Sequence, residues 1–574
     1  MSHHTVSVGP DIVSKGLLAF VTASALLLIV SWLRSRQAFR RSALHDMPGP
    51  PSVSWAWGSA PIPYYEAPRL LLEWVGRYGR TFKFHGMLGT PMLFAGDPKV
   101  LGHVLGSASA KYHRSPALRT TFNMLVGRGV LVVEGVEHKK QVCHSEGPAF
   151  GPIELRRQAE IFASKANDLC LIWKEMCSKS AHADGAYNID AFEWINKVTL
   201  DIIALAGFNY DTDSLHATDE NPNEMNTAVR AMFSFEQNNA IFAAQLMFPL
   251  LRRIVSPRSS NASVWADLHD VQPTRRMREI RSGQEVFRRV GMRLITERRA
   301  ALSRGRSDDM SFVKKNDIEG NDILSLLVKA NMAVDLPESL RLSDNDILAQ
   351  VPTFMVAGHE TTSSVVSWGL FSISCSPQVQ EKLRSELQQI PTDTPSMEAL
   401  STLPYLDNVV REILRLYTGP TIMERYASED DVIPLSTPYT DKGGNVHKEI
   451  IIKKGDTVLI PTQALQLLEE IWGPDVGEFK QVRWDNLPDA VKQIPTIWGS
   501  LLTFASGTHA CIGYRFAVAE VKALLFAIVR SFKLNLTVPP SEICRSSAVV
   551  PRPSLSTNPL AGSVLPLTIR PVLD

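Results

Sequence analysis

Apolar residues fall along this chain in two spacings. From about Pro148 to Ala399 they recur every three or four positions, as in AFEWINKVTLDIIALAGF and GQEVFRRVGMRLITERRA, which predicts amphipathic helices. Between about Pro61 and Leu105 the pattern shortens. RTFKFHGMLGTPMLFAGDP alternates apolar and polar residues around glycines, as a small sheet does. Strand spacing returns from Tyr426 to Pro461, where DKGGN reads as a turn and EIIIKKGDTVLIP as a hairpin. A last helix is predicted over Tyr514–Phe532, and loops over Leu250–Arg281 and Ser303–Asn321. The chain is therefore mainly α with a small β region.

One stretch fits neither pattern. Residues 16–33, GLLAFVTASALLLIVSWL, run about 18 positions without a charge, just enough to cross a hydrocarbon core. A cleaved signal peptide would be shorter and followed by a small-residue cleavage site. A core helix would have globular sequence on both sides. Here Arg34, Arg36, Arg40 and Arg41 follow at once, so the positive-inside rule leaves residues 1–15 in the lumen and the bulk of the chain in the cytosol. Trp32 suits the interface. Residues 34–60 form a basic, proline-rich hinge in which MPGPPS reads as a stiff spacer, and residues 61–574 form the globular domain. The sequons at Asn261 and Asn535 should stay unmodified on that side of the membrane.

Composition narrows the function classes. A formal charge of +1 on 574 residues gives no concentrated positive field for nucleic acid. Six scattered cysteines do not make a disulfide framework, which points to a reducing compartment.

One of those cysteines stands apart. In FASGTHACIGYRF, residues 504–516, Cys511 lies between Gly507 and Gly513 and just ahead of an apolar helix. Either it is a small packing residue, or its sulfur becomes a thiolate at a helix N-terminus, where the dipole favours the anion. A lone thiolate without further ligands at zinc spacing suits one axial position of a haem iron.

A second stretch is AGHETT, Ala357–Thr362, inside a long helical run. Gly358 costs about 1 kcal/mol there against alanine. Thr361 can bond back to a carbonyl one turn earlier, and Glu360 beside it could relay protons. The bland reading is an amphipathic helix with a polar face. A third is Glu412-x-x-Arg415, whose spacing puts both side chains on one helical face.

The ordered set resembles the cytochrome P450 superfamily, the haem-thiolate monooxygenases, over nearly the whole chain. The resemblance implies a helix-rich prism holding haem b (iron protoporphyrin IX) on the Cys511 thiolate. Phe504 would pack near the sulfur, and His509 and Arg425 would meet haem propionates. Ala357 and Gly358 would make room for dioxygen, and Glu360 and Thr361 would deliver protons. Glu412 and Arg415 would join Arg483, in FKQVRW, in a buried structural triad. GVEHKKQVCHSEGPAF, residues 135–150, looks like the family helix that carries a Trp or His and, four residues on, an Arg. His138 is present, but Val142 holds the arginine position and one extra residue precedes Pro148. Lys139, Lys140 or His144 is left to supply the missing charge.

The resemblance also implies electrons from NADPH through a membrane-bound NADPH–cytochrome P450 reductase, with cytochrome b5 as an accessory partner. It implies an endoplasmic reticulum anchor and contact with membrane lipid. GPPSVSWAWGS and PAFGP look most like the fungal membrane-bound branch, which suggests a terpenoid or other hydrophobic secondary metabolite as substrate. The variable segments Pro116–Val126, Asn238–Pro249 and STNPLAG, residues 556–562, would shape its pocket. A haem-thiolate isomerase or dehydratase, and a silent haem- or lipid-binding anchor protein, are the alternatives.

Overall fold

The fold is that of a computed structural model, which describes residues 42–54, 58–59, 69–86, 89–182, 184–218, 223–233, 275–304, 322–332, 337–546 and 550–572, with residues 29, 30 and 33. Eight helices frame the interior: α1 Pro116–Val126, α2 Gly135–Ala149, α3 Pro152–Ser178, α4 Ala191–Phe208, α5 Arg275–Arg304, α6 Asp344–Ser374, α7 Pro404–Leu416 and α8 Tyr514–Ser531. Twelve strands lie among the described residues: β1 Thr81–His85, β2 Pro91–Ala95, β3 Tyr112–His113, β4 Tyr187–Asp190, β5 Met423–Ala427, β6 Asp431–Thr440, β7 Val446–Ile452, β8 Thr457–Ile460, β9 Phe532–Leu536, β10 Ile543–Arg545, β11 Pro553–Leu555 and β12 Pro566–Pro571.

Helix α6 is the axis of the molecule. Its 31 residues pack against α4, α5, α7 and α8, and its second half is buried almost throughout. A buried helix must satisfy its hydroxyls, and several in α6 bond to its own backbone. Thr353 Oγ1 donates to the Ala349 carbonyl at 2.6 Å, Ser367 to Ser363 at 2.7 Å, Ser372 to Trp368 at 2.9 Å and Ser374 to Leu370 at 2.7 Å.

The main sheet has the order β1-β2-β8-β5-β3, with β2 and β8 parallel. The predicted hairpin in EIIIKKGDTVLIP does not form. β7 pairs with β6 across the DKGGN turn, while β8 joins β2 and β5. Burial decides the split: β7 alternates between core and solvent, whereas the last three residues of β8 are all buried, as a central strand requires. Segment Pro116–Val126, expected as a variable loop, is a helix begun by the Ser115 cap.

The hinge also differs from its expectation as a spacer. Leu44 and Met47 are fully buried, and the Pro48 carbonyl accepts the Lys83 N–H of β1 at 3.0 Å. The globular body thus starts by Ser42 rather than residue 61. Of the loop expected over Leu250–Arg281, residues 275–281 are the first turns of α5. Its earlier part, the segment Asn238–Pro249 and residues 305–321 lie outside the described residues. So do residues 16–28, 31 and 32 of the predicted anchor; among the described residues no helix is long and apolar enough to cross a membrane.

Candidate active site

The cysteine loop is a set of close approaches. Cys511 N–H donates to the Phe504 carbonyl at 2.9 Å, closing the loop on itself. Gly507 has φ +69°, and a Cβ there would sit 1.8 Å from the Leu105 carbonyl oxygen, so only glycine fits. Gly513 carries no such demand: its φ is −88° and the nearest atom to a Cβ is 3.7 Å away on Phe150. The Phe504 ring lies between Trp498 and Tyr514, at centroid distances of 5.7 and 6.0 Å.

Cys511 is surrounded by protein yet keeps accessible surface. Burial pushes its thiol up to about 11, and the Gly513 backbone N–H offsets only part of this. The helix N-terminus alone does not deliver the expected thiolate; a bound cation would have to release the proton.

Helix α6 has one break in its burial. Ala357 is exposed between buried Met355 and buried His359. Thr361 Oγ1 donates to the Ala357 carbonyl at 2.7 Å, the back-bond its position predicts. At Gly358 a Cβ would meet Ile203 Cδ1 at 2.8 Å, so its smallness serves the packing of α4 on α6.

Glu360 is paired with Arg552, a residue the sequence reading did not single out. The preceding residue strengthens the clip: Ser364 Oγ and Trp368 Nε1 both donate to the Pro551 carbonyl, at 2.6 and 2.9 Å. Residues 360, 364 and 368 share one face of α6, so the strand that leads into β11 is fastened along that face.

Around His509 lies a buried charged cluster. His509 Nε2 meets Glu134 Oε2 at 2.6 Å, its Nδ1 meets Thr508 Oγ1 at 3.1 Å, and its ring stands 4.8 Å from that of His138. Both ring nitrogens of His509 thus meet protein groups. Arg114 backbone N–H donates to Glu134 Oε1 at 2.9 Å, and its guanidinium lies 3.7 Å from the same oxygen. Arg425 is buried beside them and, among the described residues, hydrogen-bonds to its neighbour's carbonyl, Glu424 O, and weakly to Met423 Sδ.

Electrostatics in the cluster follow from burial. Burial and then the Arg114 charge push His138 down to about 3, and burial takes His509 to about 4 despite its bond to Glu134. Burial alone would raise Glu134, but His509 and Arg114 outweigh it and hold the carboxyl at about 2. Burial lowers Arg114 and Arg425 to about 10, which leaves both charged at neutral pH. Val142 packs against the core, and Arg114, in YHRSP, is a cation of the cluster around His509 that the sequence did not single out. No periodic signal marks Arg114, and only the run into the Ser115 cap sets it apart.

The triad residues meet in the core. Arg415 Nε and Nη2 donate to the two Glu412 oxygens at 2.9 and 2.8 Å, with both side chains fully buried. Arg483 Nε reaches Glu412 Oε1 at 3.4 Å and also pairs with Asp475. Trp484 Nε1 donates to Glu412 Oε2 at 3.0 Å, so the carboxylate has no unmet oxygen.

These residues fit the haem that the sequence implies. The thiol and the Ala357 turn both keep accessible surface, and the cluster around His509 holds two guanidinium groups against one carboxylate, a surplus that an acidic group would satisfy. Comparison with known proteins agrees. The cytochrome P450 family profile matches residues 48–558. Cytochrome P450 monooxygenase 205 of Postia placenta is 41% identical over 570 residues, 99% of each chain. Monooxygenase 128 of the same fungus is 39% identical over 533 residues, 92% of this chain and 93% of the relative. Cytochrome P450 monooxygenase claU of Ampulloclitocybe clavipes is 30% identical over 550 residues, 93% of this chain and 94% of the relative. The chain therefore belongs to the cytochrome P450 family and is a haem-dependent monooxygenase.

Proposed function

We propose that this monooxygenase oxidises a hydrophobic small molecule, a terpenoid or another secondary metabolite, with electrons drawn from NADPH through a flavoprotein reductase. Cytochrome b5 serves as an accessory donor, and residues 16–33 anchor the enzyme to the endoplasmic reticulum with its catalytic domain in the cytosol. The observation that carries the reading is the Cys511 thiol, which keeps accessible surface in a loop closed on itself ahead of α8, in a chain that the cytochrome P450 family profile matches over residues 48–558.

When bound, haem supplies the oxidising chemistry, its thiolate ligand pushing electron density toward the iron to favour O–O cleavage. Cys511 would hold the iron through its sulfur, and Arg114 and Arg425, with His138 near them, would hold the acidic edge of the group. Thr361 donates its proton to the Ala357 carbonyl, so its oxygen is free to accept a hydrogen bond from the interior side. Glu360 replenishes that site with protons by turning away from Arg552.

Product analysis after co-expression with a reductase, under isotope-labelled dioxygen, tests the proposal. One labelled oxygen atom in an apolar product, formed only with NADPH, is expected. Product formed without NADPH or dioxygen would replace it with an isomerase or dehydratase. An intact thiolate spectrum with no turnover on any apolar candidate would leave a silent binding protein.

A further inference from the structure

A cavity of about 280 Å³ opens between α3, the short helix Met397–Ser401, α7 and α8. Its lining includes neither the Ala357 turn nor any residue of the cluster around His509. Phe162, Leu400 and Ala519, all buried, give it an apolar wall, and half-buried Trp498 and Tyr514 add two aromatic rings.

Helix α8 sets the polar pattern. Arg515, Val518, Ala519 and Lys522 follow one another at three- and four-residue spacing, so they share one face, and the two cations stand two turns, about 10 Å, apart. Lys522 lines the cavity although nine-tenths of it is buried. Its Nζ meets Asp407 Oδ1 at 2.8 Å, and Arg411 Nε lies 2.7 Å from Asp407 Oδ2, so two cations share one carboxylate. An ammonium has three donors, and Asp407 is the one ion-pair partner of Lys522 among the described residues. Arg515 is exposed, with its guanidinium over the Tyr514 ring at 4.6 Å and no ion pair among the described residues. A net positive group with donors to spare thus stands beside an apolar, aromatic-edged wall.

We propose that this cavity is a second small-molecule site, which takes a flat aromatic carboxylate. The carboxylate meets Lys522 Nζ and evens the charge of the Lys522–Asp407–Arg411 group. The ring system lies on Ala519 against Phe162 and Leu400, a few polar groups fixing an apolar body as small-molecule pockets do. Arg515, two turns away, adds to the positive field that draws an anion in. None of these residues is assigned to haem, so the site does not depend on which substrate the enzyme oxidises.

Calorimetric titration of the holoenzyme with 2-naphthoate tests this, with the haem iron first saturated by 4-phenylimidazole to occupy the haem pocket. The parent should bind one equivalent. The neutral isostere 2-naphthamide should bind about tenfold more weakly or worse, the scale of a hydrogen bond to a charged group. Lys522→Met removes the cation, and Val518→Trp fills the cavity from a half-buried position while leaving every charge in place, so a folding failure of the first leaves the second. Each should weaken 2-naphthoate at least as much as the amide exchange does. No binding by the parent, equal affinity for the amide, or parent-like affinity in either folded variant would overturn the proposal.

Discussion

Glu360 lies against Arg552, 192 positions away in sequence, and His359 Nδ1 is 4.0 Å from its other oxygen. The acid expected to feed protons to the site is therefore held along the Pro551–Arg552 strap rather than left loose in the interior. Glu360→Gln is expected to lower product formation by roughly 100-fold, the usual scale for loss of a general acid. Arg552→Gln should fall between that variant and the parent, with more NADPH consumed per product. Thr361→Ala should uncouple NADPH use from product as well. Haem content and the thiolate spectrum should not change in any of the three. Parent-like coupling in Arg552→Gln would show that the strap does not govern Glu360.

Gly507 is the least replaceable residue of the cysteine loop. Alanine there would adopt a left-handed φ, at about 1 kcal/mol, and would also drive its Cβ into the Leu105 carbonyl. Gly507→Ala should lose most of its haem on purification, whereas Gly513→Ala should retain it. Haem-to-protein ratios distinguish the two, and equal retention would contradict the geometry.

The Glu412–Arg415 pair is fully buried and hydrogen-bonded at both ends. Removing one partner strands the other charge, at a cost of roughly 3–5 kcal/mol. Arg415→Leu should therefore shift the urea midpoint far more than Lys492→Ala, whose pair with Asp489 is exposed. Similar midpoints for the two variants would argue against a structural triad.

Glu520 gives a pH dependence. It is fully buried on α8, neither carboxylate oxygen has a hydrogen-bond partner among the described residues, and burial raises its pKa well above the ordinary 4.5, with nearby Thr362 opposing only in part. The folded pKa exceeds the unfolded one, so the neutral acid favours the fold fully below about pH 4.5 and this contribution is lost as pH rises toward the folded value. Glu520→Gln, which cannot ionise, should gain on the parent with rising pH at about 1.4 kcal/mol per pH unit. Denaturation midpoints from pH 4 to pH 8 check this, and a constant gap would show that Glu520 is not buried neutral.

Local signals in the sequence were legible to the residue. AFEWINKVTLDIIALAGF has the bounds of α4, because Asp190 caps the Phe192 N–H at one end and Asn209 turns left-handed, φ 45°, at the other. The back-bond of Thr361 was likewise written in its spacing. What escaped notice depends on chain segments that meet only after folding. Glu134 and His509 are 375 positions apart, and neither Arg114 nor Arg552 belongs to a periodic pattern. The hairpin misreading has the same origin. KKGD turns the chain between β7 and β8, but the partner of each strand is decided by which one is buried on both sides.

The whole account depends on one sulfur–iron bond, and the reduced, carbon monoxide-bound difference spectrum reads it directly. The parent protein should show the red-shifted thiolate band, and Cys511→Ala should lose it. A parent-like band and full haem content in Cys511→Ala would contradict the assignment.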